Sequence, residues 1–394
     1  MSVSRVMTGN LVVALAVTQV KPDVAVVYPI IPTTAIVEEI AASVADGSLF
    51  TEILNMESDG NAMSACLGAA LAGGRVFTVA SSQALLAMHE FLFTASSLRL
   101  PVVAAVVNRA LPSPLAMGAD HADAMTVRES GWVQMFCEDP QEAYDTVIQA
   151  FRIAEHGDIR APVMVGMDAF FTSHTFENVL VEEAEDVEEF VGPCGAGSSV
   201  LDTETPRTVG SFSGSDYYFE HKVNQFQALD QARKIIKEVG KEFGDRFGRY
   251  YGCFEAYKLE DADFALLLMG SCAGAAKEWI DTQRSNGGKV GLLKLRLMRP
   301  FPHLEIKEAL TGLKAVAVLD RAYFPGTPGG PLFAEIRSAL YDTQERPVIL
   351  PYVYGLGGRD IQDRHFDQAL ADMMQGHEKA GQTTCPVQFL NVRE

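Results

Sequence analysis

Cysteine is scarce and unpaired in this 394-residue sequence. Its six cysteines (Cys66, Cys137, Cys194, Cys253, Cys272 and Cys385) lie far apart, with no CxxC pair. That spacing fits neither a zinc site nor the ligand set of an iron–sulfur cluster, so cluster chemistry would have to come from another polypeptide. Without a secretion signal the thiols read as reduced. Basic residues are also few: 32 Lys and Arg stand against 51 Asp and Glu, a formal charge of -19. An acidic surface with no Lys/Arg run repels nucleic acid and anionic membrane, and neither is an expected partner. The bland account of that charge is solubility. Long apolar runs are missing as well. No stretch reaches the roughly 18 apolar residues that span a bilayer. The run Leu11 to Val17 is too short for a leader and is followed by Gln19 and Lys21. A cytoplasmic chain is the expectation. No repeat of 20–50 residues is visible either.

What is present is an ordinary globular composition, 48% apolar and 21% charged, in a chain long enough for two domains or more. Residues 1–175 alternate strand-like and helix-like stretches. Val24 to Val27, Arg75 to Ala80 and Val102 to Val107 are apolar runs; Thr33 to Ala45, Gln83 to Ser96 and Gln141 to His156 are helical between them. Such alternation predicts a mostly parallel sheet covered on both faces, and Val102 to Val107 reads as a buried parallel strand. Residues 176–260 break the rhythm with an acidic run (VEEAEDVEEF), loop-rich stretches and one long helix, His221 to Phe243. They read as a linker with a connecting helix. From Asp263 the rhythm returns, predicting a second, smaller α/β domain over 261–376, followed by a tail over 377–394.

Ligands of an open parallel sheet sit beyond the carboxyl ends of its strands. The residues directly after the predicted strands are Tyr28-Pro29, Glu57, Ser81-Ser82-Gln83 and Asn108-Arg109. A carboxylate, a guanidinium and a hydroxyl/amide cluster on one sheet edge suit an anionic organic ligand. Taken singly, Glu57 could be a surface acid, and Arg109 a loop arginine paired with Asp120 or Asp123.

The string YPIIPTT (Tyr28 to Thr34) resembles the YPITPS/T segment of the pyruvate:ferredoxin oxidoreductases and related 2-oxoacid:acceptor oxidoreductases. The likeness continues in order through MESDGNAMSACLGAALAGGRVFT, ASSQALLAMHE, RLPVVAAVVNRAL, DHADAM, RESGWVQ and PVMVGMDAFFTSHT, and then through LKLRLMRPFP, VLDRA, GGPL and YGLGGRD. It covers nearly the whole chain and weakens over 180–220 and the tail.

The resemblance implies the alpha-type subunit of such an enzyme, oxidising a 2-oxoacid (pyruvate by default) to its acyl-CoA and CO2. The first domain would then be the pyrimidine-type thiamine diphosphate domain, a doubly wound parallel sheet, and the second would be similar to the transketolase C-terminal domain. On this match Glu57 hydrogen-bonds the cofactor's aminopyrimidine, favouring the tautomer that removes the thiazolium C2 proton. Arg109 holds the substrate carboxylate in its planar fork. Tyr28, Pro29, Ser82 and Gln83 shape the cofactor loop. No magnesium motif of the GDG type and no cluster cysteines are visible. Mg²⁺, the diphosphate end and the [4Fe-4S] clusters are therefore expected on partners: a beta-type thiamine subunit, a gamma subunit and a ferredoxin-like subunit. A dimer of heteromers acting on a 2-oxoacid and coenzyme A is the implied assembly.

Two positions depart from the pattern. Ile31 replaces the usual threonine that contacts substrate. This leaves open a larger, branched or aryl 2-oxoacid, or a substitute hydroxyl from Thr33, Thr34 or a partner. Ala84 stands where the family carries Gly. An oxalate-type enzyme would call for more cationic groups than Ile31 offers. A non-redox decarboxylase, or a scaffold subunit without turnover, are the readings from other classes. Asp120-His121-Ala122-Asp123 could ligate a metal but reads as a structural loop near the site. Ser173-His174 invites a nucleophile reading, against which neighbours in a chain rarely face each other. PGTPGGP (325–331) is not a dinucleotide fingerprint and reads as a tight loop facing another subunit.

Overall fold

A computed structural model describes residues 2–195, 199–378 and 386–393. In chain order the first elements are β1 (Val3–Thr8), α1 (Gly9–Val20), β2 (Val24–Val27), α2 (Thr34–Ala45), β3 (Glu52–Asn55) and α3 (Asp59–Leu71). Then come β4 (Val76–Ala80), α4 (Gln83–Ala87), α5 (His89–Ser97), β5 (Val102–Asn108), α6 (Ala122–Thr126), β6 (Val133–Phe136), α7 (Pro140–Ala154) and β7 (Val163–Asp168). β8 (Phe176–Val181), α8 (Ala184–Val191), α9 (Tyr218–Phe247) and β9 (Phe254–Tyr257) occupy the middle segment. The last third holds β10 (Phe264–Leu268), α10 (Cys272–Ser285), β11 (Val290–Leu295), β12 (Leu297–Arg299) and α11 (His303–Leu310). After these come β13 (Ala315–Asp320), α12 (Pro331–Leu340), β14 (Val348–Val353), α13 (Asp363–Glu378) and β15 (Gln388–Phe389).

Among the described residues these strands form three sheets. The largest runs β12-β6-β7-β5-β4-β2-β3, with every pair parallel except β12 on β6. The second runs β15-β14-β13-β10-β11-β9, with β9 antiparallel at its edge. β1 and β8 pair only with each other. β5 is buried on both faces, and its residues alternate between two cores. Val103, Ala105 and Val107 face the core shared with α1 and α7, while Val102, Ala104 and Val106 face a second one. That second core also contains Leu267, Leu293 and Val318 of the other sheet, so one apolar layer glues the two sheets together.

The segment expected to be a linker is more structured than its composition suggests. The acidic run holds α8, amphipathic with Val187, Phe190 and Val191 inward. α9 is longer than expected and buries Ala228, Ala232, Ile235, Val239 and Phe243 along one stripe, the 3.6-residue period of a docked helix. β9 joins the second sheet, and β12 crosses back to the first.

Polar groups then fix how the two sheets meet. Asp168, at the end of β7, accepts from Arg321 Nη1 (2.7 Å), from the Ser271 amide (2.8 Å) and hydroxyl (2.6 Å), and shares a 2.6 Å hydrogen bond with His121 Nε2. Arg321 and Asp168 have 3% and 1% of their surface exposed. Burial alone would raise the Asp168 carboxyl, but Arg321, His121 and Ser271 together hold it well below the usual carboxylate range. Backbone bonds run beside this cluster, His121 N–H to Arg321 O (2.8 Å) and Gly358 N–H to Ala119 O (2.8 Å). The backbones approach so closely that a Cβ on Gly118 would lie 2.2 Å from the Gly357 oxygen. A second buried seam joins Lys294 to Glu138 (2.9 Å) and Glu142 (3.0 Å).

The glycine-rich 325–331 loop has an internal use as well as an exposed tip. Asp320 accepts from the Leu332 (2.8 Å) and Phe333 (3.0 Å) amides at the start of α12, and Gly330 lets the backbone pass against that carboxylate.

Two stability predictions follow from these buried carboxylates. Arg321→Met leaves the Asp168 charge buried without its cation and should cost about 3–5 kcal/mol in denaturant unfolding; a loss under about 1 kcal/mol would mean the pair is not needed. Asp320 is the opposite case. Burial pushes its pKa up to about 7, beyond what its two amide donors offset. An unfolded aspartate titrates near about 3.9, so the folded state holds the proton more tightly. The Asp320 contribution is therefore fully present at acid pH and declines as pH rises from about 4 to about 7. Urea unfolding across pH should show the wild type losing ground to Asp320→Asn over that window; a pH-independent difference contradicts the assignment.

Candidate active site

β2, β3, β4, β5 and β7 all point the same way, so their carboxyl ends form one edge. Tyr28, Ser81-Ser82 and Arg109 follow directly on β2, β4 and β5, and Glu57 stands two residues after β3. The edge is thus built by topology, not by any single motif.

After β2 the chain makes a tight turn, with the Thr33 amide (2.8 Å) and hydroxyl (2.7 Å) both donating to the Ile30 carbonyl. The turn is anchored from behind by Asn10, whose side-chain amide donates to Pro32 O at 2.8 Å. Tyr28 is half-buried, packed on the core between the sheets, while Pro29 is exposed. Ile31 is 54% exposed at the apex. Thr33 is fully buried. The Thr33 proton is committed to the Ile30 carbonyl, and its side chain is buried within the turn.

Arg109 is buried, and the fork of its guanidinium is held by neutral groups. Nη1 donates to the Ile31 carbonyl and Nη2 to Gln83 Oε1 (2.6 Å), with Met117 Sδ 3.9 Å away. Its Nε is buried with no partner. Neither Asp120 nor Asp123 makes a direct ion pair with the guanidinium; Asp123 meets Arg109 through the backbone amide. Burial lowers the Arg109 pKa, opposed by Asp123 nearby, and the group stays cationic. A cation balanced by a carbonyl and an amide is open to an incoming carboxylate.

Ser82 sits at φ 51°, ψ -126° between β4 and α4. A non-glycine residue at positive φ stores about 1–3 kcal/mol and persists only where its surroundings enforce it. Here the Ser82 hydroxyl donates to Ala110 O (2.6 Å) and its amide to Asp123 Oδ2 (2.9 Å). The Ser82 side chain is thus turned inward, and Gln83 is the residue exposed here. The Ser81 hydroxyl, buried at the same strand end, has no partner in the chain.

Glu57 lies just before α3, whose N-cap Ser58 accepts from the Asn61 amide (3.3 Å). The Asn61 side chain donates to Glu57, holding the carboxylate in place while leaving it exposed. Because β3 is the edge strand of its sheet, Glu57 faces outward from this chain.

The acid/histidine cluster does not act as one unit. Asp120 accepts from the Ala122 amide (2.8 Å) and from Gly357 N–H (3.4 Å), and His121 goes to Asp168. Asp123 turns to the active edge, a role the spacing D-H-A-D gave no sign of. Ser173 and His174 do face each other, contrary to expectation. The Ser173 hydroxyl lies 2.7 Å from His174 Nδ1 and accepts from the Phe170 amide (2.8 Å), in a loop that begins after β7.

Comparison with known proteins gives the same family from two directions. The family model described as pyruvate flavodoxin/ferredoxin oxidoreductase, thiamine diphosphate-binding, matches residues 15–241, and that for pyruvate:ferredoxin oxidoreductase core domain II matches 262–366. The chain is 46% identical to pyruvate synthase subunit PorA of Thermotoga maritima, over 98% of this chain and 97% of that one. It is 39% identical to ketoisovalerate oxidoreductase subunit VorA of Pyrococcus horikoshii, over 99% and 98%. Among solved structures it resembles 2-oxoglutarate:ferredoxin oxidoreductase from Magnetococcus marinus, with a TM-score of 0.75 at 18% identity. That likeness covers 94% of this chain and 65% of the other.

Proposed function

The chain belongs to the pyruvate flavodoxin/ferredoxin oxidoreductase family as an alpha-type, thiamine-diphosphate-binding subunit, and from that premise we propose that it supplies the pyrimidine-side and substrate-carboxylate contacts for oxidative decarboxylation of pyruvate. The acceptor of the electrons is ferredoxin or a similar carrier, and the acyl group leaves on coenzyme A. A beta-type thiamine subunit, a gamma subunit and a ferredoxin-like iron–sulfur subunit complete the enzyme, as a dimer of heteromers in the cytoplasm. No helix among the described residues is long and apolar enough to cross a membrane.

The observation that carries this reading is the Arg109 guanidinium, buried at the active edge, held by the Ile31 carbonyl and Gln83 and unpaired with any carboxylate. It is a preset receptor for the carboxylate of a 2-oxoacid. The residues also fit the aminopyrimidine end of thiamine diphosphate. Glu57 is exposed and fixed by Asn61, so it can accept a hydrogen bond from the ring, and the buried Ser81 hydroxyl at the neighbouring strand end has no partner. When bound, that cofactor supplies the electron sink for loss of CO2. This chain's part is to hold a ring proton at Glu57, to orient the 2-oxoacid at Arg109, and to close the cofactor side with the Tyr28–Thr34 turn.

A second reading has its own support. The exposed Ile31 replaces a hydroxyl with a branched apolar group, and one relative at 39% identity is named for ketoisovalerate. Pyruvate is kept first because the relative at 46% identity is named for pyruvate synthase.

In the assembled enzyme, Arg109→Lys should raise KM for pyruvate about 10- to 100-fold, since a point charge cannot replace the fork. Glu57→Gln should cut kcat by about 100-fold or more. Normal turnover in both variants would defeat the assignment and favour a scaffold subunit. A panel of pyruvate, 2-oxoisovalerate and phenylglyoxylate should give the highest kcat/KM with pyruvate; a preference for either larger acid would transfer the assignment to it.

A further inference from the structure

We propose that Asp123 is a positioning residue that ties the substrate-side Arg109 to the cofactor-side Ser82 turn, so that the two cannot shift independently. The inference rests on the reading of Arg109 as the 2-oxoacid ligand. One oxygen of Asp123, Oδ2, accepts both the Ser82 amide (2.9 Å) and the Arg109 amide (3.0 Å). The other, Oδ1, accepts the Asn108 side-chain amide (2.9 Å) and the Ala124 amide (2.7 Å). The side chain is fully buried. Four converging donors need a group that is acceptor on both atoms, and only a carboxylate provides that.

Asp123 belongs to neither strand end that it joins. It is presented on α6, and the turn leading into that helix is gripped from the opposite side. His121 bonds Asp168 and the Arg321 backbone, Asp120 meets Gly357, and Ala119 accepts from Gly358. The carboxylate is therefore held by the second domain, while its lone pairs set the two strand ends of the first. Without it the Ser82 backbone has no amide acceptor to enforce its positive φ, and Arg109 loses the fixed start of its side chain. Gln83 follows Ser82 and holds the Arg109 fork, so an error at Ser82 reaches the guanidinium by a second route.

The test uses the assembled enzyme with pyruvate and thiamine diphosphate varied separately. Asp123→Asn turns an amide NH2 toward backbone donors. It should raise KM for pyruvate on the order of 10- to 100-fold and raise half-saturation for thiamine diphosphate in parallel, with a smaller fall in kcat. The double variant with Arg109→Lys should be much less impaired than the product of the two single effects. Asn108→Ala, which removes one donor and no charge, guards against failure of Asp123→Asn to assemble; it should raise KM for pyruvate in the same direction by less. If Arg109→Lys raises KM while Asp123→Asn and Asn108→Ala leave it unchanged, the positioning role is wrong and the reading of Arg109 stands. Fully multiplicative effects in the double variant overturn the positioning role too. If Arg109→Lys itself leaves KM unchanged, the reading beneath the inference fails instead.

Discussion

The buried carboxylate of Asp168 is the contact on which the two halves of the molecule depend. It stands at the end of a central strand of the first sheet, and its partners Arg321 and Ser271 come from the second. A lone carboxylate in that position would be costly by several kcal/mol, and Arg321 without Asp168 equally so. Each charge is tolerable only while the other is in place. The apolar layer between the sheets supplies attraction without direction, whereas the Asp168 cluster fixes one relative placement. The turn before α6 shares in it through His121, so the placement of the second domain also determines where Asp123 sits.

A consequence is that the active edge is made rigid from the inside and left open on the outside. Arg109, Ser82 and Thr33 are buried and hydrogen-bonded within the chain, while Pro29, Ile31, Glu57 and Gln83 are exposed. Glu57 lies beside the edge strand of its sheet, exposed among the described residues. On the function proposed above, this is one preorganised wall of a site whose other wall a partner supplies.

Much of this was legible in the sequence where local pattern and burial agree. Val102 to Val107 could only be a strand buried on both faces, and β5 is that strand, extended by Asn108. The long helix was visible because its apolar stripe repeats every three to four residues through Phe243. Other features were hidden for definable reasons. β12 was not foreseen, because the chain passes from the second sheet to the first around Arg296 while the apolar alternation of LKLRLM continues unbroken across the switch. β1 and β8 escaped notice because their faces are mostly exposed and they pair only with one another. In the site itself, spacing could group Asp120, His121 and Asp123 but could not tell that they diverge to three different partners. Those partners lie up to 237 positions away in the chain.

Ile31 shows how the backbone and the side chain of one residue can serve different ends. Its carbonyl accepts from Arg109 and so takes part in fixing the guanidinium, a role any residue could fill at that position. Its side chain is exposed on the same turn and is free to vary without disturbing that bond. The turn is fixed by Thr33 and Asn10, neither of which touches the Ile31 side chain through a hydrogen bond. On the function proposed above, a turn built this way alters the surface offered to the acid's alkyl group while Arg109 stays constant. The replacement of a hydroxyl by a branched apolar group is then a change in specificity at fixed chemistry, worth at most about 1–3 kcal/mol between neighbouring acids. Discrimination of that size is enough to rank pyruvate against a branched 2-oxoacid, and too small to change the reaction proposed for Arg109 and Glu57.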